Sequence, residues 1–232
     1  MNAAPENISG KNPHGLCTWD DSSDCNSCEN KGSLNCKWNS KVLMHFYKIS
    51  LPFMVPAFLG LVIVGFAGNW LPLIAYIAFW IFFFIFFEIF VLCRHCPYYA
   101  ENGRILHCHA NHGIPKLWKY HPGPANAFEK LGLLAGLVFF LFFPLLAELL
   151  GIQVSLEKTP PDITTAVILV VLAAITLITA VIFAVLLVRN LCPRCVNFTC
   201  PLNRVPKAIR DKYLERNPIM REAWVKSGYK LG

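Results

Sequence analysis

Four long apolar runs organise the chain: Ile49 to Phe66, Leu71 to Leu92, Leu131 to Leu150 and about Thr165 to Val188. Each is near the roughly 20 residues that carry a helix across about 30 Å of hydrocarbon. Glu88 and Glu148 are the only charged residues inside them. The second run, from Ile81 to Phe87, is apolar on every side of a helix rather than along one stripe, which suits lipid or a bundle interior. Gly68-Asn69-Trp70 followed by Leu71-Pro72 reads as a tight turn with a proline at a helix start, so the first two runs form a hairpin. About 14 residues containing Pro160-Pro161 join the third and fourth runs into a second hairpin. The pattern predicts an all-α membrane protein with four transmembrane helices, hairpins at 49–92 and 131–188.

An even number of spans brings the polar segments 1–48, 93–130 and 189–232 to one face. Of the 21 Lys and Arg residues, 20 lie in those segments, and Lys158 alone lies opposite. Positive charge in short flanking segments favours the cytoplasmic side, so the termini and the middle loop are expected in the cytoplasm. The net charge of +7 then belongs to a surface against anionic headgroups, and no nucleic-acid-binding module accompanies it. The first 48 residues lack an apolar stretch behind a basic start, so a cleaved secretory signal is not expected and the first span directs its own insertion. The sequons Asn7-Ile-Ser9 and Asn197-Phe-Thr199 fall on this face, where they read as chance matches.

That placement changes the meaning of the ten cysteines: Cys17, Cys25, Cys28, Cys36, Cys93, Cys96, Cys108, Cys192, Cys195 and Cys200. None is inside a span, and all seven histidines share their face. In a reducing compartment such clusters point to metal ligands or redox thiols rather than structural disulfides. Their spacing repeats. Each hairpin leaves the membrane in a Cys-x-x-Cys pair, Cys93/Cys96 and Cys192/Cys195, followed by Cys108-x-x-Asn111 and Cys200-x-x-Asn203, then Ile114-Pro115-Lys116 and Val205-Pro206-Lys207. Two hairpins of the same orientation imply a duplication about an axis along the membrane normal. Cys25/Cys28 with Cys36-x-x-Asn39 suggests a third, partial copy.

A Cys-x-x-Cys turn places two sulfurs on one ion, and a third cysteine with one further donor completes a tetrahedron. Cys93, Cys96 and Cys108 with one nearby histidine, His109 or His112 first among His95, His107, His109 and His112, form the expected local site. Cys192, Cys195 and Cys200 have no nearby histidine and require a fourth ligand from the amino-terminal Cys17, Cys25, Cys28 and Cys36, from a cluster sulfide or from solvent. Zinc suits such variable spacing because it has little geometric preference. Iron–sulfur clusters are the alternative, although the compact Cys-x2-Cys-x2-Cys run is absent. Metal-free thiol exchange is a third chemistry, but four-span oxidoreductases of that kind work from the opposite, oxidising face.

Bound metal is expected to help fold a small, loop-rich cap on the membrane. The functional expectation is a non-enzymatic metal-binding scaffold, sensor or assembly platform in the bilayer. The alternative is an electron-transfer subunit or thiol oxidoreductase serving a cytoplasmic or redox partner. Phosphate loops, nucleophile elbows and His-Glu-x-x-His are absent. Glu88 is expected to snorkel and Glu148 to have a lesser role. Ala208 to Arg216 is expected to form a short helix on the bilayer surface.

Overall fold

The computed structural model describes residues 10–232, so Asn7-Ile-Ser9 lies outside the described residues. Four helices are long and apolar enough to cross a bilayer, over Ser40–Phe66, Leu71–His95, Ala127–Glu157 and Ile163–Arg194. The described residues contain no strand, only an isolated antiparallel bridge between Ile105 and Pro115.

The first span is one helix, α1 (Ser40–Phe66), whose Asn39 side chain caps the Lys41 N–H. Gly68 takes φ 120° in the turn that follows, a conformation a side chain would oppose. The second span changes pitch along its length. α2 (Leu71–Ile81) passes into a π-helical segment, Phe82–Phe87, then α3 (Glu88–Val91) and a 3-10 turn, Cys93–His95. The third is α4 (Ala127–Glu157), opened by a capping box in which Asn126 and Glu129 each accept the other's backbone N–H. The fourth is α5 (Ile163–Leu186), again followed by a π segment, Leu187–Leu191, and a 3-10 turn, Cys192–Arg194. Both hairpins therefore loosen and then tighten as they approach their Cys-x-x-Cys pair.

The helices extend beyond the apolar runs. α4 reaches Glu157 and α5 begins at Ile163, so only residues 158–162 join them, where the sequence suggested about 14. The Asp162 side chain caps the Thr165 N–H, and its own N–H donates to Ser155 O at 3.0 Å. Helical turns satisfy backbone groups that an irregular loop near lipid would leave open.

The bundle centre is aromatic: Phe53, Tyr76, Phe140 and Phe183 share one buried cluster, with Phe53 and Phe183 stacked at 6.1 Å. Pro144 stands inside α4 without ending it. A proline has no N–H for the carbonyl four residues earlier, here Phe140 O, and the Tyr76 hydroxyl donates to that oxygen at 2.9 Å. Glycine permits close approach elsewhere. A Cβ on Gly136 would stand 1.9 Å from the Phe83 ring, which places α4 directly on the π segment. Glu148, on α4, is fully buried between α1 and α5. Its carboxylate fills the space beside Gly60, and Thr176 donates to Oε1 at 3.1 Å, while Oε2 has no partner. This acid is buried more deeply than its place near a span end suggested.

A second buried cluster combines Leu16 and Leu34, Ile89 to Leu106, and Val196 to Trp224, so all three polar segments share one core. The tail adds α6 (Lys207–Glu215), as expected, and α7 (Pro218–Lys226), which was not. Tyr213, Leu214, Met220 and Trp224 are buried, so one face of the tail packs on the polar segments. Phe198 supplies the contact, with its ring edge-on to Tyr213 at 5.2 Å and to Trp224 at 6.3 Å.

The Tyr76–Pro144 relation gives a testable outcome. Tyr76→Phe is expected to lower stability in detergent by about 1–2 kcal/mol, because a buried carbonyl loses its partner. In a Pro144→Ala background, where a helical N–H returns, the same change should cost less. A thermal-denaturation double-mutant cycle measures the difference, and zero coupling would refute the account.

Candidate thiol centre

The two Cys-x-x-Cys pairs have the same local form. In each the second cysteine's N–H returns to the first cysteine's carbonyl, at 2.9 Å for Cys96 to Cys93 and 3.4 Å for Cys195 to Cys192. Cys93, Cys96 and Cys192 are buried, and Cys108, Cys195 and Cys200 are partly so. Cys108 is delivered by a loop closed with antiparallel bonds, Leu106 N–H to Ile114 O at 2.9 Å and Lys116 N–H to Arg104 O at 2.7 Å. Gly113 takes φ 86° to reverse that loop.

Backbone amides converge on the sulfurs. Cys96 receives the N–H of Tyr98, Cys108 those of Ala110, Asn111 and His109, Cys195 that of Asn197, and Cys200 those of Leu202 and Asn203. Four sulfurs are thus each approached by the amide two residues further on. Such amides stabilise negative charge on sulfur. Burial opposes them and prevails in the metal-free protein. It pushes Cys195 and Cys200 up to about 12, raises Cys108, and carries Cys96 well above the usual thiol range.

Neighbouring thiolate charge acts in the same direction. Cys96 responds to Cys108, Cys195 and Cys200, and Cys195 responds to Cys200 and Cys108. Within the final set, Cys195 responds to Cys108 of the middle segment, while Cys192 and Cys200 respond to thiols of their own set. The amino-terminal thiols form a separate group, in which burial, then Cys17, Cys28 and Cys25, push Cys36 up to about 12. Cys17 is held at the tail, with Asn217 accepting its N–H at 2.8 Å and donating to its Sγ at 3.3 Å. Tyr98 stands between the two groups and responds to Cys96, Cys108, Cys195 and Cys36.

The polar residues around the centre have defined tasks. Asn111 donates from Nδ2 to both Glu88 Oε2, at 2.9 Å, and Cys93 Sγ, at 3.5 Å, linking a carboxylate at the membrane end to the first thiol. Glu88 thus has a specific partner beyond a snorkelling role. Asn203 donates to Cys195 O at 2.8 Å and Asn197 O at 3.1 Å, bracing the second pair. Asn203 and Asn39 each accept the N–H two residues on, from Val205 and Lys41, a turn geometry shared by the final and amino-terminal segments. The sequon at Asn197 is buried, with Thr199 accepting the Ala125 N–H, which agrees with a chance match.

The two histidines singled out by spacing differ. His109 Nε2 accepts the Asn39 N–H at 2.9 Å, its Nδ1 lies 3.4 Å from the Tyr98 hydroxyl, and burial lowers its pKa to about 4. His112 stacks on Trp38 at 5.2 Å between ring centroids and keeps a buried Nδ1 with no hydrogen-bond partner. His107 instead pairs with Glu101 at 2.6 Å. The donor set, soft sulfurs approached by amides with one spare imidazole nitrogen, fits a thiophilic cation. Among the described residues, however, no three Cys, His, Asp or Glu side chains are gathered closely enough to hold an ion. Ligation would require the thiols to lose their protons and turn toward a common point.

Sequence spacing identified the sulfurs but not Asn111, Tyr98 or Asn217. The Asn at the third position after Cys108 was the one available signal, read only as part of a repeat. The chain matches no protein-family model, no curated protein and no solved structure.

The raised thiol values set a pH dependence for the metal-free protein. The folded state keeps protons on Cys195, Cys200 and Cys36 to about 12, whereas the unfolded chain releases them near 9. Stability from this source is complete below about pH 8 and declines as pH rises through 9 toward 12. Melting temperature in chelator should therefore fall between about pH 8 and 10, and fall less in Cys195→Ser. A flat curve for the parent protein would contradict the burial described.

Proposed function

We propose that the chain is a multi-pass membrane metalloprotein in which thiolates from two duplicated hairpins hold a soft divalent cation, zinc before iron. The observation carrying this reading is the set Cys96, Cys108, Cys195 and Cys200, in which each sulfur is approached by the amide two residues on, while Cys96 responds to the charge of the other three and Cys195 to that of Cys200 and Cys108. The same pitch change before both Cys-x-x-Cys turns supports the duplication. The cation would supply positive charge that replaces the thiol protons, so its affinity rises with pH. Cys17, Cys25, Cys28 and Cys36 offer a second thiolate set. Cys93, Cys192 and His112 Nδ1 are further donors beside the first.

The charge asymmetry of the segments supports a cytoplasmic position for this centre. Among the described residues, the cavity of about 530 Å³ where the polar segments meet the span ends has no acidic residue in its lining. This favours a scaffold, sensor or assembly platform over an enzyme, with metal binding tightening the joint between hairpins.

The test is elemental analysis of anaerobically purified protein, parent and variants. Cys96→Ser and Cys195→Ser, from different hairpins, are expected to remove the same equivalent of zinc, so that the double variant loses no more than either alone. Additive losses would mean separate local sites and reject the shared centre. Iron with acid-labile sulfide would move the protein to electron transfer, and absence of both metals would leave thiol exchange.

A further inference from the structure

A cavity of about 530 Å³ opens where the start of α1 meets the end of the fourth span. Lys41 and His45 line it from α1, one turn apart, and Arg189 and Arg194 line it from the π segment and the Cys-x-x-Cys turn. No acidic residue lines it. Among the described residues, none of these four side chains takes part in an ion pair, and the cavity brings all four together. Bringing like charges together without an opposite charge is unfavourable, and the obvious missing component is an anion.

The cavity is built rather than incidental to loose side chains. Asn35 donates its N–H to Arg194 O at 2.8 Å, which ties the wall before α1 to the turn after α5. The π segment widens the helix where Arg189 and Asn190 project. Asn35 and Asn190 add amide groups to the lining, and Val42, Leu191 and Pro193 form its apolar part.

Position selects the kind of anion. Toward the bundle, α1 exposes Met44, Tyr47 and Leu51, and α5 exposes Ile178, Ile182 and Val185. A polar, cationic cavity immediately beside exposed apolar helix surface matches an amphipathic ligand, with phosphate in the cavity and acyl chains along the helices. We propose that this cavity binds the phosphate of an anionic phospholipid, in the leaflet that faces the thiol segments. The reading is independent of any metal.

The full chain in nanodiscs of phosphatidylcholine doped with phosphatidylglycerol tests the site, with co-purifying lipid counted by native mass spectrometry after transfer to micelles. The parent is expected to retain phosphatidylglycerol over phosphatidylcholine. Arg189→Gln with Arg194→Gln should reduce that retention about tenfold or more, since each interfacial cation contributes appreciably. Lys41→Gln with His45→Gln provides a second reading from the other wall, should the arginine pair impair folding. Lys226→Gln with Lys230→Gln removes two cations at the far end of the tail and should change retention less than twofold if the cavity is specific. Equal losses in cavity and tail variants, or no preference in the parent, would overturn the proposal. Complete displacement by inorganic phosphate at an equal phosphorus concentration would also overturn it, by assigning the cavity to a soluble anion.

Discussion

The two outer connections are too short to fold, and this constraint governs the rest of the molecule. Residues 67–70 and 158–162 return the chain through the bilayer with only four and five residues between helices. All remaining polar chain must then collect at the other end, where residues 10–39, 92–126 and 187–232 meet. Their apolar side chains form one core that no single segment supplies, running from Leu16 through Tyr98 and Leu106 to Trp224. The links among them are specific. Asn217 holds Cys17, Tyr98 donates to the carbonyls of Asn35 and Lys37, and Trp38 donates to Cys108 O.

Within that core the sulfurs are in competition between burial and amide donors. A neutral thiol packs as a small apolar group, whereas a thiolate removed from water is costly. Amides aimed at sulfur lower that cost without removing it, so protonated thiols prevail unless positive charge arrives. Geometry that partly stabilises a charged form is preorganisation for it. This is why the converging amides count for more than the number of cysteines.

Much of this was legible in the chain. Span number and the all-helical class followed from apolar runs, because lipid imposes length and polarity rules that single residues reveal. The helix ends were not legible, since α4 and α5 continue through polar residues whose backbone groups would otherwise be unpaired near lipid. The tie across Pro144 was not legible either, because the Phe140 carbonyl that the proline leaves unpaired finds Tyr76, a partner 64 residues away along the chain. The tail's burial was hidden for a similar reason. α6 and α7 are polar on average, and their apolar faces acquire meaning only beside Phe198 and the amino-terminal segment, where Thr18 meets Tyr213. A small cap was expected to lack a core of its own, but three segments pooled together provide one.

Glu148 has a consequence for how such a protein is made. Its carboxyl group is removed from lipid only because Gly60 leaves room on α1 and Thr176 offers a hydroxyl on α5. Exposed to hydrocarbon, a carboxyl carries a cost on the order of 3 kcal/mol. Ribosomal synthesis delivers α1 before α4, so the glycine niche is already in the membrane when the acid emerges. One half of the niche is thus laid down before the acid and the other half, Thr176, after it, so the carboxyl is closed in only when the last helix joins the bundle.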